Sequence, residues 1–310
     1  MVAEVLRDLG LGEGAEPRPE GLYVDGTLGG GGHAKAVLEA AGPRARLLGI
    51  DRDLEALEEA RRVLVPFGDR VRLVHGCFGD LAELAAEHGF SGCDGVLLDL
   101  GVSSHQLDAP GRGFSFSQGG PLDMRMDTSV GESAAELLER IDEDGLATLL
   151  RDLGEVRRPR RIARAILNGG APKTTAELAD RVRKATPAAR SRRHHPATLV
   201  FQALRIALNG ELRQLDTFLA ALPSPLRVGG RIALLSYHSL EDRRVKLALR
   251  GLSDVCVCPP ALPACGCGRT PSLSLATRRS IAAGEPELAE NPRARSARLR
   301  SAERVSEEAA

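Results

Sequence analysis

The sequence predicts an α/β fold, in which helices cover both faces of a parallel sheet, with an all-helical insert. In the first hundred residues, four short apolar segments alternate with amphipathic helical segments, which is typical of such a sheet. From about residue 106 to residue 194 no convincing strand pattern occurs. A fifth apolar segment then restores the alternation, so the helical stretch lies between the fourth and fifth strands.

Five strands are expected at 22–27, 46–51, 70–75, 95–100 and 230–236. Each run is short and dominated by Leu, Val or Ile, as expected for a strand that is buried on both faces. The first is followed by a glycine run, and the second and fourth end in an acidic residue. The strands therefore predict both the sheet and the edge at which polar groups collect.

Local signals set several helix boundaries. Thr174 is suited to cap the helix that follows it, with Pro172 just before. Pro196 fits the first turn of a long helix containing VFQALRIALNGEL, where a missing N–H is tolerated. Ser239 stands three residues before Asp242, the spacing of an N-terminal cap. Helices are expected at 34–41, 54–65, 81–88, 132–138, 144–152, 158–167, 175–186, from 196 onward and at 239–249.

These patterns divide the chain into an α/β domain in two parts, 1–105 and 196–310, and a helical substrate-recognition domain at 106–195. The 43% of hydrophobic and 27% of charged residues are ordinary for a globular protein. No apolar stretch reaches the roughly 18 residues that a membrane helix needs. The N-terminal segment lacks the layout of a signal peptide. We therefore expect a cytoplasmic protein with no membrane partner.

The net charge is zero, but the charges are unevenly distributed. The 42 basic and 42 acidic residues cancel, which by itself argues against a nucleic-acid partner. Residues 1–150 nevertheless carry a net charge of −14, whereas residues 151–200 contain thirteen basic and four acidic residues. The basic segment indicates a local anionic partner.

A glycine run after the first strand indicates a cofactor site. Its glycines, among them Gly29, Gly31 and Gly32, let the backbone approach a ligand where a Cβ would collide. Asp51 ends the second strand, and a carboxylate there accepts hydrogen bonds from ribose hydroxyls. The segment from Gly29 also matches the G-x-G-x-x-A variant of the dinucleotide fingerprint. A nicotinamide cofactor and S-adenosylmethionine are therefore both candidates.

Acidic and aromatic side chains near the turn favour S-adenosylmethionine. This cofactor has no phosphate and carries a sulfonium and an ammonium, whereas a nicotinamide dinucleotide presents a pyrophosphate to the helix N-terminus. Asp25, at the start of the turn, suits a cationic ligand better. Phe78 follows the third strand, where it is placed to lie against an adenine, and Asp99 ends the fourth strand near the same site.

The segment after the fourth strand combines aromatic and basic residues. Ligands of open α/β sheets bind outside the carboxyl ends of the strands, so this segment borders the site. Its motif RGFSF contains Arg112, Phe114 and Phe116. An enzyme that modifies a base needs aromatic faces to stack the base and arginine to hold phosphates. We expect these three residues to contact a nucleic-acid substrate.

Several segments together resemble one known family. They are DGTLGGGGH, GIDRD, LLDLGVSSHQLD, RGFSF, LDMRMD, RRIARAI, FQALRIALN, SYHSLEDR and ENPRARSARLR. Over nearly the whole chain they are similar to the bacterial 16S rRNA cytosine-N4 methyltransferases of the RsmH (MraW) family. The resemblance implies a class I S-adenosylmethionine-dependent methyltransferase with a Rossmann-like sheet. It also implies 16S rRNA or the small ribosomal subunit as partner, methylation of a cytidine N4 in the decoding region, and allows a homodimer.

The resemblance further implies which residues bind the cofactor. The family has a glycine–glycine–histidine segment, a ribose-binding acid, an adenine-side aromatic, a fourth-strand acid and a cofactor-contacting glutamine. The glycine–glycine–histidine segment falls on Gly31, Gly32 and His33, and the ribose-binding acid on Asp51. The adenine-side aromatic falls on Phe78, the fourth-strand acid on Asp99 and the glutamine on Gln106.

Methylation of an exocyclic amine requires positioning more than a strong base. The N4 lone pair is delocalised into the cytosine ring, so the enzyme must orient the amine and stabilise the charge that develops on it. We predict that Asp99 is catalytic and accepts the N4 hydrogens, with cofactor binding alone as the alternative role. His238 is a second candidate base, with shaping of the pocket as its alternative.

Arginines of the insert are expected to hold RNA phosphates. A solvated helix face is the alternative reading of such a charge run. The local excess of basic residues favours phosphate contacts and predicts RNA binding with a steep salt dependence. The candidates are Arg157, Arg158, Arg160, Arg161, Arg192 and Arg193.

Four cysteines form a tight cluster near the C-terminus. Cys256, Cys258, Cys265 and Cys267 follow the pattern C-x-C-x6-C-x-C. In a cytoplasmic chain a metal site is favoured over disulfides, although the spacing differs from the usual zinc-ribbon pair. A zinc site and a reduced surface loop both stay open, and no metal ligand is assigned.

Three other functions are alternatives. A DNA amino-methyltransferase would have a Pro-Pro-aromatic motif after the fourth strand, where this chain has Asp99-Leu-Gly-Val. A noncatalytic RNA-binding assembly factor would not need intact cofactor motifs. A nicotinamide-dependent oxidoreductase would bind its cofactor and not S-adenosylmethionine. The sequence also leaves open whether the substrate is free rRNA or an assembled subunit.

Overall fold

The chain divides into a sheet unit, Met1–Gly101 with Arg213–Ala310, and a helical unit, Val102–Leu212. The computed structural model describes residues 1–15, 18–117, 119–186, 195–254, 256, 258 and 267–307. None of the helices in these ranges combines the length and the apolar character that crossing a bilayer requires.

One mixed sheet forms the centre of the sheet unit. Its strands are β1 (Leu22–Asp25), β2 (Arg46–Asp51), β3 (Val71–His75), β4 (Cys93–Asp99), β5 (Leu226–Ser236), β6 (Leu273–Leu275), β7 (Ile281–Ala282) and β8 (Arg298–Arg304). Within the described residues their order is β3-β2-β1-β4-β5-β8-β6, and β7 pairs with β8. Neighbours among β1 to β5 are parallel, whereas β8 is antiparallel to its partners.

The helices flank this sheet or build the helical unit. They are α1 (Val2–Asp8), α2 (Gly32–Ala40), α3 (Leu54–Leu64), α4 (Leu81–Glu87), α5 (Ser104–Asp108), α6 (Ala134–Arg140), α7 (Glu143–Gly154), α8 (Pro159–Leu167), α9 (Thr175–Ala185), α10 (Ala197–Asn209), α11 (Glu211–Ala221), α12 (Ser239–Ser253) and α13 (Glu285–Glu290). The predicted cap of α9 forms as expected, because Thr174 accepts a hydrogen bond from the N–H of Glu177. Pro196 caps α10 and does not lie in its first turn, and Gly210 separates α10 from α11, so the predicted long helix is two helices. The cap of α12 is His238 and not Ser239.

The parallel part of the sheet agrees with the sequence prediction. β2 covers 46–51 as predicted, and the other four parallel strands overlap their predicted ranges. Because β2 and β4 lie on either side of β1, the strand order reverses at β1. Open α/β sheets bind their ligands at such a reversal, outside the carboxyl ends of the strands.

β8 was not predicted from the sequence. It runs antiparallel between β5 and β6, with Leu299 opposite Leu235 and Ala302 opposite Ile232. Leu299 and Ala302 are buried, while Arg298 and Arg300 on either side of Leu299 are half-buried. The segment has too few apolar residues to be recognised as a strand. It is a strand because it pairs with a strand that is distant in the chain, and a local pattern does not show such pairing.

Alternate residues of the parallel strands fill two hydrophobic cores, one on each face of the sheet. Val24 and Leu98 pack on one face with Phe218 of α11. Leu97 packs on the other face with Val37 of α2. Each such buried side chain contributes about 1.5–3 kcal/mol, so the central strands hold both layers of helices.

The helical unit has a separate hydrophobic core. Leu150 of α7, Ile166 of α8 and Val182 of α9 are fully buried in it. Val200 and Leu204 of α10 belong to the same core, although the sequence analysis assigned this helix to the α/β domain. The apolar face of α10 is buried against the insert, so the division between the units falls inside α11 and not at residue 195.

Candidate active site

Three carboxylates end neighbouring strands at one edge of the sheet. Asp25 ends β1, Asp51 ends β2 and Asp99 ends β4. Because these strands are parallel and adjacent, their carboxyl ends meet at the reversal of strand order. The chain thus concentrates negative charge at the place where this kind of sheet binds a ligand.

The turn from β1 into α2 leaves open space beside its backbone. Gly31 precedes the helix with a φ of 80°, a left-handed conformation that glycine adopts without steric cost. A Cβ on Gly32 would meet no atom of the described residues within 4 Å. The N–H of Gly29 donates to Oδ2 of Asp51 at 2.7 Å. The turn is therefore tied to the end of β2 while its other side stays open for a ligand.

Asp51 is held by backbone donors on both oxygens. Besides the bond from Gly29, Oδ1 accepts from the N–H of Asp53 at 2.9 Å. Burial raises the pKa of Asp51, and these hydrogen bonds act in the opposite direction. The predicted ribose-binding carboxylate consequently has a fixed orientation at the end of β2.

Asp99 lies in a polar cluster with residues of two other segments. The Tyr237 hydroxyl donates to Oδ1 of Asp99 at 2.8 Å, and Nδ1 of His33 lies 3.4 Å from Oδ2. The backbone N–H of Asp99 donates to Oγ1 of Thr27 at 2.5 Å. The sequence analysis included Tyr237 in a family motif without assigning it a role. Its place directly after β5, at the carboxyl end of the sheet, was the available signal.

Burial and charge shift the pKa values in this cluster. Burial raises the pKa of Asp25 to about 7, against the opposing effect of His33. Burial would lower the pKa of His33, but the contact with Asp99 and the charges of Asp99 and Asp25 leave it raised. Burial and the Asp99 carboxylate also raise the pKa of Tyr237. A cation bound here would favour the ionised form of Asp25.

One buried nitrogen indicates that a polar ligand completes the cluster. Nε2 of His33 is buried and has no hydrogen-bond partner within the described ranges. Leaving such a group unsatisfied costs about 1–3 kcal/mol. Together with the carboxylates of Asp25 and Asp99, it suits a ligand that carries both positive charge and hydrogen-bonding groups. S-adenosylmethionine has both.

The remaining predicted cofactor residues lie in different units. Phe78 is half-buried in the sheet unit, and a Cβ on Gly26 would lie 3.4 Å from its Cβ, so it adjoins the glycine turn. Gln106 is buried in the helical unit, where its Oε1 accepts from the N–H of Ser103 at 3.0 Å and caps α5. Cofactor contacts of both residues stay predictions.

Comparison with known proteins decides the family. The family model described as the MraW methylase family matches residues 2–305. The chain belongs to the MraW methylase family. This confirms the resemblance drawn from the motifs, the class I methyltransferase fold and the S-adenosylmethionine cofactor.

Curated MraW-family relatives match this chain over almost its whole length. "Ribosomal RNA small subunit methyltransferase H" of Syntrophotalea carbinolica is 51% identical over 293 residues, 93% of each chain. The protein of the same name from Geobacter sulfurreducens is 50% identical over 309 residues, 98% of this chain and 97% of that one. The solved structure of Aeropyrum pernix fibrillarin with S-adenosyl-L-methionine is 11% identical, with a TM-score of 0.38 over 97% of this chain and 75% of that one.

Two predicted substrate contacts of this MraW-family chain are corrected by the structure. Arg112 is buried, and its Nη2 donates to the carbonyl oxygens of Arg125 and Met126 at 3.1 and 2.9 Å. Phe114 is buried in the core of the helical unit, with the Arg112 guanidinium 5.9 Å from its ring centroid. Both side chains stabilise this loop and do not present an exposed surface, because the loop folds back over the helical core.

Phe116 differs from its neighbour in the same motif. It is half-buried, and its ring centroid lies 5.0 Å from that of Phe201 and 4.8 Å from that of His195. One part of the ring therefore remains accessible. The prediction that this residue stacks on a base is kept for Phe116 alone.

The predicted phosphate-binding arginines within the described ranges gather at the start of α8. We call them the arginine cluster, Arg157, Arg158, Arg160 and Arg161, and all four are exposed. Arg160 lies 3.6 Å from a carboxylate oxygen of Asp144. The last three line a groove of about 550 Å³ between α7 and α8. Arg192 and Arg193 lie outside the described residues.

His238 caps a helix and is not placed as an exposed base. Its Nδ1 accepts from the N–H of Glu241 at 3.4 Å, and its Nε2 lies 3.0 Å from Oε1 of Glu241. Both side chains are buried. Because Nδ1 accepts the capping hydrogen bond and the side chain is buried, His238 fits the alternative role of shaping the start of α12.

Proposed function

We propose that this chain methylates 16S rRNA of the small ribosomal subunit, at the exocyclic N4 of a cytidine in the decoding region. Relatives about 50% identical are named small-subunit rRNA methyltransferases. The atom and the region follow from the motif resemblance. The observation that carries the proposal is the cluster of Asp99, His33 and Tyr237 at the carboxyl end of the sheet.

The cofactor-binding part of the proposal rests on the acidic end of the sheet. S-adenosylmethionine supplies, when bound, a methyl group activated on a sulfonium. Asp25 and Asp99 provide negative charge for this cationic ligand, and Asp51 accepts hydrogen bonds from its ribose. The glycine turn at Gly31 and Gly32 lets the backbone approach it closely. A nicotinamide dinucleotide would instead bring two phosphate charges toward these carboxylates.

Asp99 has the right surroundings to orient the target amine. Tyr237 and His33 contact one oxygen each, which fixes the plane of the carboxylate and leaves lone pairs that can accept an N4 hydrogen. Positive charge develops on N4 as its bond to the methyl carbon forms, and the carboxylate stabilises that charge. The N4 proton is then lost to water, so no strong base is required.

The arginine cluster supports an RNA substrate. α8 has no acidic residue in its first turn and no side-chain hydrogen bond at its N-terminus. Helix N-termini favour anions, so several arginines at this place are unfavourable unless an anion lies nearby. RNA phosphates satisfy both the arginines and the free N–H groups of the first turn.

The proposal is tested by methylation of purified small subunits and of naked 16S rRNA. Labelled S-adenosylmethionine is the donor, and the modified nucleotide is mapped by nuclease digestion and mass spectrometry. We expect one N4-methylated cytidine in the decoding region, and the better of the two substrates identifies the natural one. A methyl group on another atom, or transfer to DNA only, would overturn the proposal.

The role of Asp99 is tested separately by Asp99→Asn. We expect turnover to fall about a hundredfold, because the amide has no negative charge to stabilise N4. The dissociation constant of the cofactor should change less than about tenfold. Asp69→Asn, which alters an exposed acid of the sheet unit, is the control. Unchanged turnover in Asp99→Asn would limit Asp99 to cofactor binding.

A further inference from the structure

Three cysteine sulfurs converge after α12, away from any role in the proposed reaction. The Sγ atoms of Cys256, Cys258 and Cys267 all lie within 4.8 Å of one another. Four sulfurs around a zinc ion, each at about 2.3 Å, are about 3.8 Å apart. The three thiols therefore already have nearly the spacing of a tetrahedral zinc site.

Hydrophobic packing does not account for this convergence. Cys256 is exposed and Cys258 is half-buried, so the cluster is not part of a core. Cys267 follows Cys258 only after eight intervening residues, so its sulfur returns to the first two by folding of the chain. A cluster of thiols outside the hydrophobic cores, brought together over this separation, is better explained by a shared ligand.

A backbone hydrogen bond favours the form of cysteine that binds metals. The N–H of Cys258 donates to Sγ of Cys256 at 3.4 Å. Donation to sulfur stabilises the thiolate, which is the ligand form. The positive Arg269 side chain, which donates to the carbonyl oxygen of Gly251 at 2.6 Å, also lies in this region of the sheet unit.

The two ends of the cysteine segment are held at the C-terminus of α12. The N–H of Ser272 donates to the carbonyl oxygen of Leu252 at 3.0 Å, next to the bond from Arg269 to Gly251. These contacts close the segment at its base and direct its chain into β6. A metal ion at the other end would fix the segment at a second point.

We propose that Cys256, Cys258 and Cys267 bind one zinc ion as thiolates. The fourth cysteine of the C-x-C-x6-C-x-C pattern, Cys265, lies outside the described residues and is not part of the proposed site. The zinc ion fastens the segment between α12 and β6. The sequence analysis left a zinc site and a reduced surface loop open because the spacing differs from common zinc motifs, and the convergence of the sulfurs favours the zinc site.

Metal content of the full-length protein tests the proposal. The protein is expressed with zinc in the medium, freed of its affinity tag and purified without chelators. We expect about one zinc per chain by mass spectrometry of the elements. Replacement of Cys256, Cys258 or Cys267 by serine should in each case weaken zinc binding at least about tenfold. Cys77→Ser, outside the cluster, is the matched control and should keep the zinc.

The absorption spectrum of bound Co²⁺ identifies the metal ligands without a measurement of zinc affinity. The metal-free protein, titrated with Co²⁺, should show the visible bands of tetrahedral cobalt and a sulfur-to-cobalt charge-transfer band. Cys258→Ser should reduce the charge-transfer band, while circular dichroism and cofactor binding show that the variant is folded. Zinc-free protein without cobalt bands, or equal zinc in Cys256→Ser and Cys258→Ser, would overturn the proposal. A disulfide within the cluster under reducing conditions would do so as well.

Discussion

Asp25 is a buried acid whose protonation state changes close to neutral pH. Its folded-state pKa of about 7 lies above the ordinary 3.8, so the folded protein binds this proton more tightly than the unfolded chain. Stability from this group therefore falls as the pH rises from about 4 to about 7 and stays low above that. We expect Asp25→Asn to raise the melting temperature at pH 8. The difference from the unaltered protein should shrink toward pH 4, and a constant difference would contradict the assignment.

Asp25 should also make cofactor binding depend on pH. The charged groups that face it are His33, Asp99 and Asp51. Protonation of Asp25 and of His33 both weaken the attraction for a cation, so affinity should rise between about pH 6 and pH 8. We expect Asp25→Asn to lower the affinity at pH 8 about tenfold and to flatten this rise. Calorimetric titration at each pH measures the affinity and its pH dependence. If the affinity of Asp25→Asn rose with pH as steeply as that of the unaltered protein, Asp25 would not be the source of the pH dependence.

Tyr237 is a positioning residue for Asp99. Tyr237→Phe removes the hydroxyl that donates to Oδ1 of Asp99, so the carboxylate loses one of the contacts that orient it. We expect kcat to fall about tenfold, with a smaller change in the KM of the cofactor. Stopped assays over a range of cofactor concentrations separate the two constants.

The other tyrosine of the chain provides a matched control for that experiment. The hydroxyl of Tyr23 is buried without a hydrogen-bond partner in the described part of the chain, and burial raises its pKa to about 12. Tyr23→Phe removes the same atom from a place outside the site. It should leave kcat unchanged. An equal loss of kcat in both variants would show that Tyr237 does not act by positioning Asp99.

At the scale of the element, α8 separates two kinds of arginine. Arg164 forms a two-bond ion pair with Glu143 at 2.9 and 3.1 Å, whereas Arg158 and Arg161 have no ion pair among the described residues. We expect Arg158→Gln with Arg161→Gln to weaken RNA binding and to reduce the slope of log affinity against log salt by about 0.7 per lost contact. Arg164→Gln is the control on the same helix. Equal salt slopes in all variants would contradict phosphate contacts at this end of α8.

The elements that the sequence predicts best are those with a local signal. β2 has an apolar run and α9 has a cap residue, and both form where expected. β8 lacks such a signal, because Leu299 and Ala302 stand among charged and polar residues and are buried only where β8 joins the sheet beside β5. α10 was recognised as a helix, but the core that buries it was not, since the apolar face of a helix does not specify its partner.

At the scale of the whole molecule, charge and hydrophobic core are both divided between parts of the chain. The zero net charge is the sum of an acidic part, residues 1–150, which carries the carboxylates at the end of the sheet, and a basic remainder, residues 151–310, which includes the arginine cluster. The two units also have separate hydrophobic cores. The strand-end carboxylates and the arginine cluster are therefore held in place by different sets of buried residues.

A substitution in the core of the helical unit should affect RNA binding more than cofactor binding. Leu150 is fully buried in that core, so Leu150→Ala should lower the free energy of unfolding by about 2–5 kcal/mol. Below its melting temperature, the variant should lose less affinity for the cofactor than for RNA, because of the predicted cofactor residues only Gln106 belongs to the helical unit. RNA affinity should fall. Chemical denaturation measures the loss of stability, and titrations with the cofactor and with RNA measure the two affinities. An equal loss of both affinities would contradict the prediction.

The sequence by itself determined the family, the parallel strands, the glycine turn and the acids that end the strands. These features are written in contiguous motifs, and their chemistry follows from local residue types. Only the tertiary structure decided that Tyr237 contacts Asp99, that Arg112 and Phe114 are buried, and that β8 joins the sheet. Each of these depends on a contact between residues that are distant in the chain or on the burial of one particular face. Local patterns do not specify which distant surface covers a side chain, because packing and desolvation are properties of the folded whole.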